Sequence, residues 1–175
     1  MAPKKPQLKI TDDRNSFKPF HYPWAYEAWL KHEQSHWLHT EVPMLDDVKD
    51  WKNRLTPAEK NFLTNIFRFF TQGDIDVAGG YVKNYLPYFR QPEVRMMLLG
   101  FAAREALHVA AYSHLIETLG MPESTYNEFL EYQEMKDKHD YLLDIGSKNG
   151  DAASTATHIA VFSAFTEGMQ LFSSF

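Results

Sequence analysis

Residues 92–122 read PEVRMMLLGFAAREALHVAAYSHLIETLGMP, and this stretch decides the fold class. Val94, Met97, Leu98, Phe101, Leu115, Ile116 and Leu119 recur at the spacing of one buried helix face. Pro92 and Glu93 suit a first helical turn, and Gly120 followed by Pro122 is a stop signal. Glu105, His108 and Tyr112 lie on the same apolar stripe. A helix that carries ionisable groups on its core face must give them partners there.

The segments on either side also read as helical. Thr56-Pro57-Ala58-Glu59 is a helix start, with Thr56 as cap, Pro57 at the first position and Glu59 closing a capping box. The stripe Leu63, Ile66, Phe67, Phe70, Val77, Tyr81 follows, with Asp74 in its middle, and the helix should end before Pro87. A first helix is expected from about Pro23 to Trp37, and a loop from His39 to Asp50, which holds Pro43 and several acids. A shorter, more polar helix is expected over about Ser124 to His139, and Asn149-Gly150 marks a turn. Asp151 can cap a last helix that is still apolar at Phe175. Residues 1–22, rich in Lys, Pro and Asp, read as a flexible or extended N-terminal arm, and residues 23–175 as one helical domain. No β alternation or repeat is present, so the class is all-α, a bundle of long helices.

The bulk numbers exclude several function classes. The 175 residues are the size of one domain, and 44% are hydrophobic. A net charge of −5 gives no reason to expect nucleic acid as a partner. With no cysteine, there is no disulfide, thiolate catalysis or Cys-ligated zinc, and a reducing compartment such as the cytoplasm fits. The N-terminus, Met1-Ala-Pro-Lys-Lys-Pro, has no apolar segment of signal-peptide type. From Ala152 to Phe175 the only formal charge is Glu167, but the run also holds His158, Gln170 and seven Ser or Thr residues. A core helix is expected there, not a membrane span.

Chemistry enters with the acids placed where a core should be. Asp74, Glu105 and Glu167 each sit in an apolar run, and His108 shares a face with Glu105 three positions away. Three carboxylates and an imidazole converging on one core suit a pair of dications, and oxygen and nitrogen donors fit iron or manganese better than copper(I). Blander readings stand beside this one. A lone Glu-x-x-His arises by chance, usually as a surface pair or a buried hydrogen bond. Asp74 could be a satisfied core acid, or Asp76 could be the inward residue. Glu167 could face a groove or a subunit contact. Tyr112, one turn beyond His108, is either a core aromatic or a phenol placed to donate an electron to a metal. Trp37 would ordinarily be packing, and His36 and His39 surface groups. The order acid, Glu-x-x-His, acid nevertheless follows the ferritin-like carboxylate bundles, which need a second Glu-x-x-His as well.

The stretch from about Tyr22 to Leu119 resembles the small subunit of class I ribonucleotide reductase. The resemblance rests on Gln34-Ser35-His36-Trp37 with Glu41-Val42, on Phe69-Phe70-Thr71-Gln72-Gly73-Asp74, and on Ala103-Arg104-Glu105-Ala106-Leu107-His108 followed by Tyr112. The run Phe165-Thr166-Glu167-Gly168 through Phe172-Ser173-Ser174-Phe175 looks like the helix with the next ligand. The resemblance implies a ferritin-like fold and a dinuclear metal centre, iron-iron first, with manganese-manganese or mixed sites on nearly the same ligands. It implies Asp74, Glu105 and His108 as ligands of the first metal, Glu167 as a ligand of the second, and Glu105 as a bridge. Tyr112 would be the tyrosine oxidised to a radical, and Trp37 would lie on the route to the large subunit, which makes the deoxynucleotide. Pairing of small subunits is implied too.

The family pattern also requires a second Glu-x-x-His helix and a C-terminal docking tail, and neither lies within residues 1–175. The expectation is therefore an incomplete bundle completed by another chain, a split subunit, with truncation and lost chemistry as the alternatives. Two other functions remain: a fragment of a different ferritin-like oxidase or oxygenase, and a non-catalytic helical interaction module.

Overall fold

The computed structural model describes residues 8–147 and 151–172. Among these the chain forms six α-helices and no strand: α1 (Pro23–Gln34), α2 (Leu45–Asn53), α3 (Pro57–Gly80), α4 (Pro92–Leu119), α5 (Gln133–Ser147) and α6 (Ala152–Ile159). The all-α expectation holds. The Asn149-Gly150 turn, the first seven residues of the arm and the Ser173-Ser174-Phe175 end of the last motif lie outside the described residues.

The start of α3 forms as its sequence dictates. The Glu59 N–H donates to Thr56 Oγ1 at 3.3 Å, and the Thr56 N–H donates to Glu59 Oε2 at 2.8 Å, closing the capping box. Beyond Gly80 the chain stays helical as a π-helical stretch, Tyr81–Tyr85, and ends before Pro87. α4 stops at Gly120, whose φ of +74° is the left-handed conformation that favours glycine. Asp151 caps α6, accepting from the Ser154 N–H at 2.7 Å.

Three expectations about elements need correction. The stretch His39–Asp50 is largely helical: a 3-10 turn at His39–Glu41, then α2. Pro43 precedes α2 without interrupting it, and Asp46 and Asp47 fall in its first turn, where acids complement the helix dipole. The polar helix expected from Ser124 is two short 3-10 turns, Glu123–Tyr126 and Glu128–Glu131, before α5 begins at Gln133. Tertiary tethers override helix propensity there. The Tyr126 and Ser113 hydroxyls are 3.0 Å apart, Arg68 pairs with Glu128, and Phe129 is buried. α1 ends at Gln34 rather than Trp37, with Ser35 as its C-cap.

Helices α3 and α4 pack side by side, and α1 lies along α4. Their shared core contains Ala25, Val77, Tyr85, Leu86, Val94, Leu98 and Phe162. Residues 8–22 run without helix and are held by two fully buried side chains at the start of α4. Gln91 donates to the carbonyls of Lys9 and Asp12, at 3.1 and 2.7 Å. Glu93 accepts the N–H groups of His21 and Tyr22, at 2.7 and 2.9 Å, and so fixes the chain where it enters α1.

After α6 the chain widens into a second π-helical stretch, Ala160–Gln170, which carries Glu167. A π turn closes bonds between residues five apart, so Phe162 and Glu167 share a face that a 3.6-residue period separates. Among the described residues, one face of α6 and this run is covered and another is not. Thr155, His158 and Phe162 are buried, whereas Phe165, Met169 and Phe172 are 53%, 58% and 81% exposed. No helix among the described residues is long and apolar enough to cross a membrane.

Candidate metal centre

Asp74 comes from the middle of α3, and Glu105 and His108 from successive turns of α4. Both helices turn these residues inward because each occupies a position of the apolar stripe. One ligand atom from each of the three lies within 4.8 Å of the others. His108 Nδ1 is 3.0 Å from Glu105 Oε2 and 3.8 Å from Asp74 Oδ2. Asp74 and Glu105 are both buried, and His108 is half-buried. Of the two acids Asp74 and Asp76, the first joins this group. Asp76 instead pairs with His139, at 2.6 Å.

The electrostatics are those of a site short of positive charge. Burial, then the neighbouring Glu105, pushes the Asp74 carboxyl up to about 7. The Glu167 carboxyl is also pushed up to about 7, by burial and then by Glu105. His108 is raised too, which for an imidazole favours the charged form. Its hydrogen bond to Glu105 favours the imidazolium, burial opposes it, and the charges of Glu105 and Asp74 add to it. Raised carboxyls and a raised imidazole together mark a place where added positive charge is favoured. Such clustering of perturbed groups is a mark of functional sites. Glu167 acts on Asp74 electrostatically but lies outside the tight three-residue group.

The donor set fits a dinuclear metal centre of hard or borderline dications. Two buried carboxylates and an imidazole converge, a third carboxylate is within electrostatic reach, and there is no thiolate.

Two aromatic residues flank the group. Tyr112 stacks on Phe70 with ring centroids 5.0 Å apart and planes inclined by 16°. Burial, then the charges of Asp74 and Glu105, holds its phenol proton more tightly than usual. Trp37 stacks on His108 at 6.3 Å and 25°. His36 is exposed, whereas His39 is half-buried with its ring 5.6 Å from that of His114. One neighbour was missed by the sequence reading. Tyr81, at a core position of the apolar stripe, feels the charges of Glu167 and Glu105 after burial. Its position two helical turns beyond Asp74 was the available signal.

The family model described as "Ribonucleotide reductase, small chain" matches residues 14–175. A probable ribonucleoside-diphosphate reductase small subunit of Invertebrate iridescent virus 6 is 58% identical over 180 residues, covering 96% of this chain and 50% of that protein. The ribonucleoside-diphosphate reductase subunit beta of Chlamydia pneumoniae is 30% identical, covering 76% of this chain and 39% of that one. The fold is similar to the ribonucleotide reductase R2 subunit from Clostridium botulinum, with a TM-score of 0.78 at 20% identity over 87% of this chain and 49% of that one. The chain therefore spans about half the length of the curated relatives it matches. On the extent of these matches, the chain belongs to the ribonucleotide reductase small-chain family.

Proposed function

We propose that this chain forms one side of the dinuclear metal centre of a ribonucleotide reductase small subunit, the radical-generating partner of a large subunit that makes deoxynucleotides. The observation that carries the reading is the convergence of Asp74, Glu105 and His108, with Tyr112 and Trp37 against them. Asp74, Glu105 and His108 would hold the first metal and Glu167 the second, with Glu105 shared. The position of Glu167, coupled to Glu105 but outside the tight group, supports that division. Iron-iron is the first assignment, with manganese-manganese or mixed occupancy on the same donors.

When bound, the centre supplies oxidising power through its reaction with dioxygen. The chain's own residues do the rest. Phe70 covers one face of the Tyr112 ring and shields it from water. Burial beside Asp74 and Glu105 keeps the phenol protonated until an electron leaves it. Trp37, stacked on His108, is the exit relay toward the large subunit. Residues 23–175 form the metal-domain portion, with the preceding segment as a strap on α4. A segment bearing a second Glu-x-x-His, and pairing with another small subunit, completes the assembly. The exposed apolar face at Phe165, Met169 and Phe172 supports a covering partner there. A reducing, cytoplasmic setting fits the absence of cysteine.

The test is metal uptake by the chain assembled with a segment that supplies the rest of the family's length. Anaerobic iron(II) or manganese(II) titration should give two ions per site, and Glu105→Ala should abolish uptake. Equal uptake by that variant refutes the reading.

A further inference from the structure

A guanidinium on α4 grips the end of α1. Arg104 Nη2 donates to the His32 carbonyl at 2.9 Å, Nη1 to the Ser35 carbonyl at 3.1 Å, and Nε to His32 Nε2 at 3.3 Å. The His32 carbonyl also accepts the Ser35 N–H at 3.1 Å, the Ser35 carbonyl is that of the C-cap, and both lie at the negative end of the helix dipole. A planar cation with donors in a fixed fork suits two such carbonyls, where an ammonium would engage one at a time. The His32 ring is itself seated edge-on against Phe101, with centroids 4.9 Å apart.

The grip lies close to the proposed relay. Trp37 follows Ser35 by two residues, and α1 has already ended. Among the described residues no backbone–backbone hydrogen bond reaches His36 or Trp37. The Trp37 indole nevertheless lies over His108, which stands one α4 turn beyond Arg104. One helix thus supplies His108 and also holds the segment that supplies Trp37.

We infer that Arg104 is a positioning residue whose fork fixes the end of α1 so that Trp37 stays stacked on His108, governing export of the oxidising equivalent rather than its generation. The inference rests on the roles given above to Tyr112 and Trp37. In the export step one electron passes from an oxidisable side chain of the large subunit, through Trp37, to the Tyr112 radical. Tyr112 takes up one proton and returns to the phenol, the large-subunit side chain loses one electron and releases one proton, so protons and charge balance, and Arg104 is unchanged.

The experiment compares wild type, Arg104→Ala and Arg104→Lys in the assembled holoenzyme labelled with 5-fluorotryptophan. The Trp37 fluorine resonance is assigned with Trp37→Phe. Three quantities are read: metal content with tyrosyl radical yield by electron paramagnetic resonance, the Trp37 resonance, and radical loss after mixing with large subunit and ribonucleotide. Arg104→Ala should keep metal and radical near the wild-type level, move or broaden the Trp37 resonance, and slow radical loss on the order of tenfold or more. Arg104→Lys, which keeps charge and stem, should fold normally and fall between. An unmoved resonance with unchanged radical loss overturns the inference. So does a parallel fall in metal content and radical yield, the mark of a purely structural clamp. A wild-type holoenzyme that forms no radical overturns the functional reading instead, and this inference with it.

Discussion

Replacing Asp74 with Asn should stabilise the metal-free protein at alkaline pH while destroying its function. Asp74 is 7% exposed, beside Glu105 and within reach of Glu167, and its carboxyl is pushed from the ordinary 3.8 to about 7. A carboxyl raised on folding favours the fold while neutral. That contribution is complete below the unfolded value and is lost as pH rises through the folded one. At 1.36 kcal/mol per pH unit, ionising Asp74 in place costs up to about 4 kcal/mol, shared with the acids around it. Asn keeps the shape and cannot ionise. At pH 8 in chelator, Asp74→Asn should therefore gain about 2 kcal/mol, or roughly 4–8 °C in melting temperature for a chain of this size. At pH 5, between the unfolded and folded values, the gain should shrink by more than half, and it should vanish only below about pH 4, the unfolded value. Thermal melts at the two pH values, with metal uptake measured in parallel, make the assay. If the variant loses stability equally at both pH values, Asp74 is an ordinary hydrogen-bonded core acid whose carboxyl is not raised by burial and Glu105.

Metal addition should stabilise the protein more at pH 7.5 than at pH 5.5, because Asp74 and Glu167, both raised to about 7, must release protons to bind it. Melting curves with and without manganese(II) at each pH check this. Thr56→Ala removes the α3 cap and should cost about 1 kcal/mol in denaturant unfolding, with no effect on metal content. Gly80→Ala should destabilise despite a propensity gain of up to about 1 kcal/mol. A Cβ at Gly80 would lie 2.6 Å from Cζ of the buried Phe162 ring, and such overpacking costs about 1–3 kcal/mol. Adding Phe162→Leu should recover part of the loss, and a neutral Gly80→Ala would contradict the packing described here.

Much of the fold and the site's positions could be read in the chain because single residues decided them. Thr56, Pro57 and Glu59 specified a helix start, and Gly120 a stop, through local chemistry. Asp74, Glu105 and His108 stood out because acids on an apolar stripe need a partner. What escaped depends on tertiary contacts. Glu128 and Tyr132 engage Arg68 across the bundle, which holds the chain before α5 in short turns. The π-helical stretch around Glu167 shifts the phase of the faces, and no 3.6-residue count anticipates it. Pro92 and Glu93 read as an ordinary helix start, yet Glu93, with Gln91 before it, is buried to hold a segment some seventy to eighty residues earlier. The choice between Asp74 and Asp76 needed His139 in place.

The most direct test of the central claim is electron paramagnetic resonance of the iron(II)-loaded assembled protein after exposure to dioxygen, for wild type and Tyr112→Phe. The account predicts a tyrosyl signal in wild type that disappears in the variant while metal content stays the same. Metal bound without a Tyr112-dependent radical would place the chain with another oxygen-using carboxylate protein, and no metal bound at all would contradict the site itself.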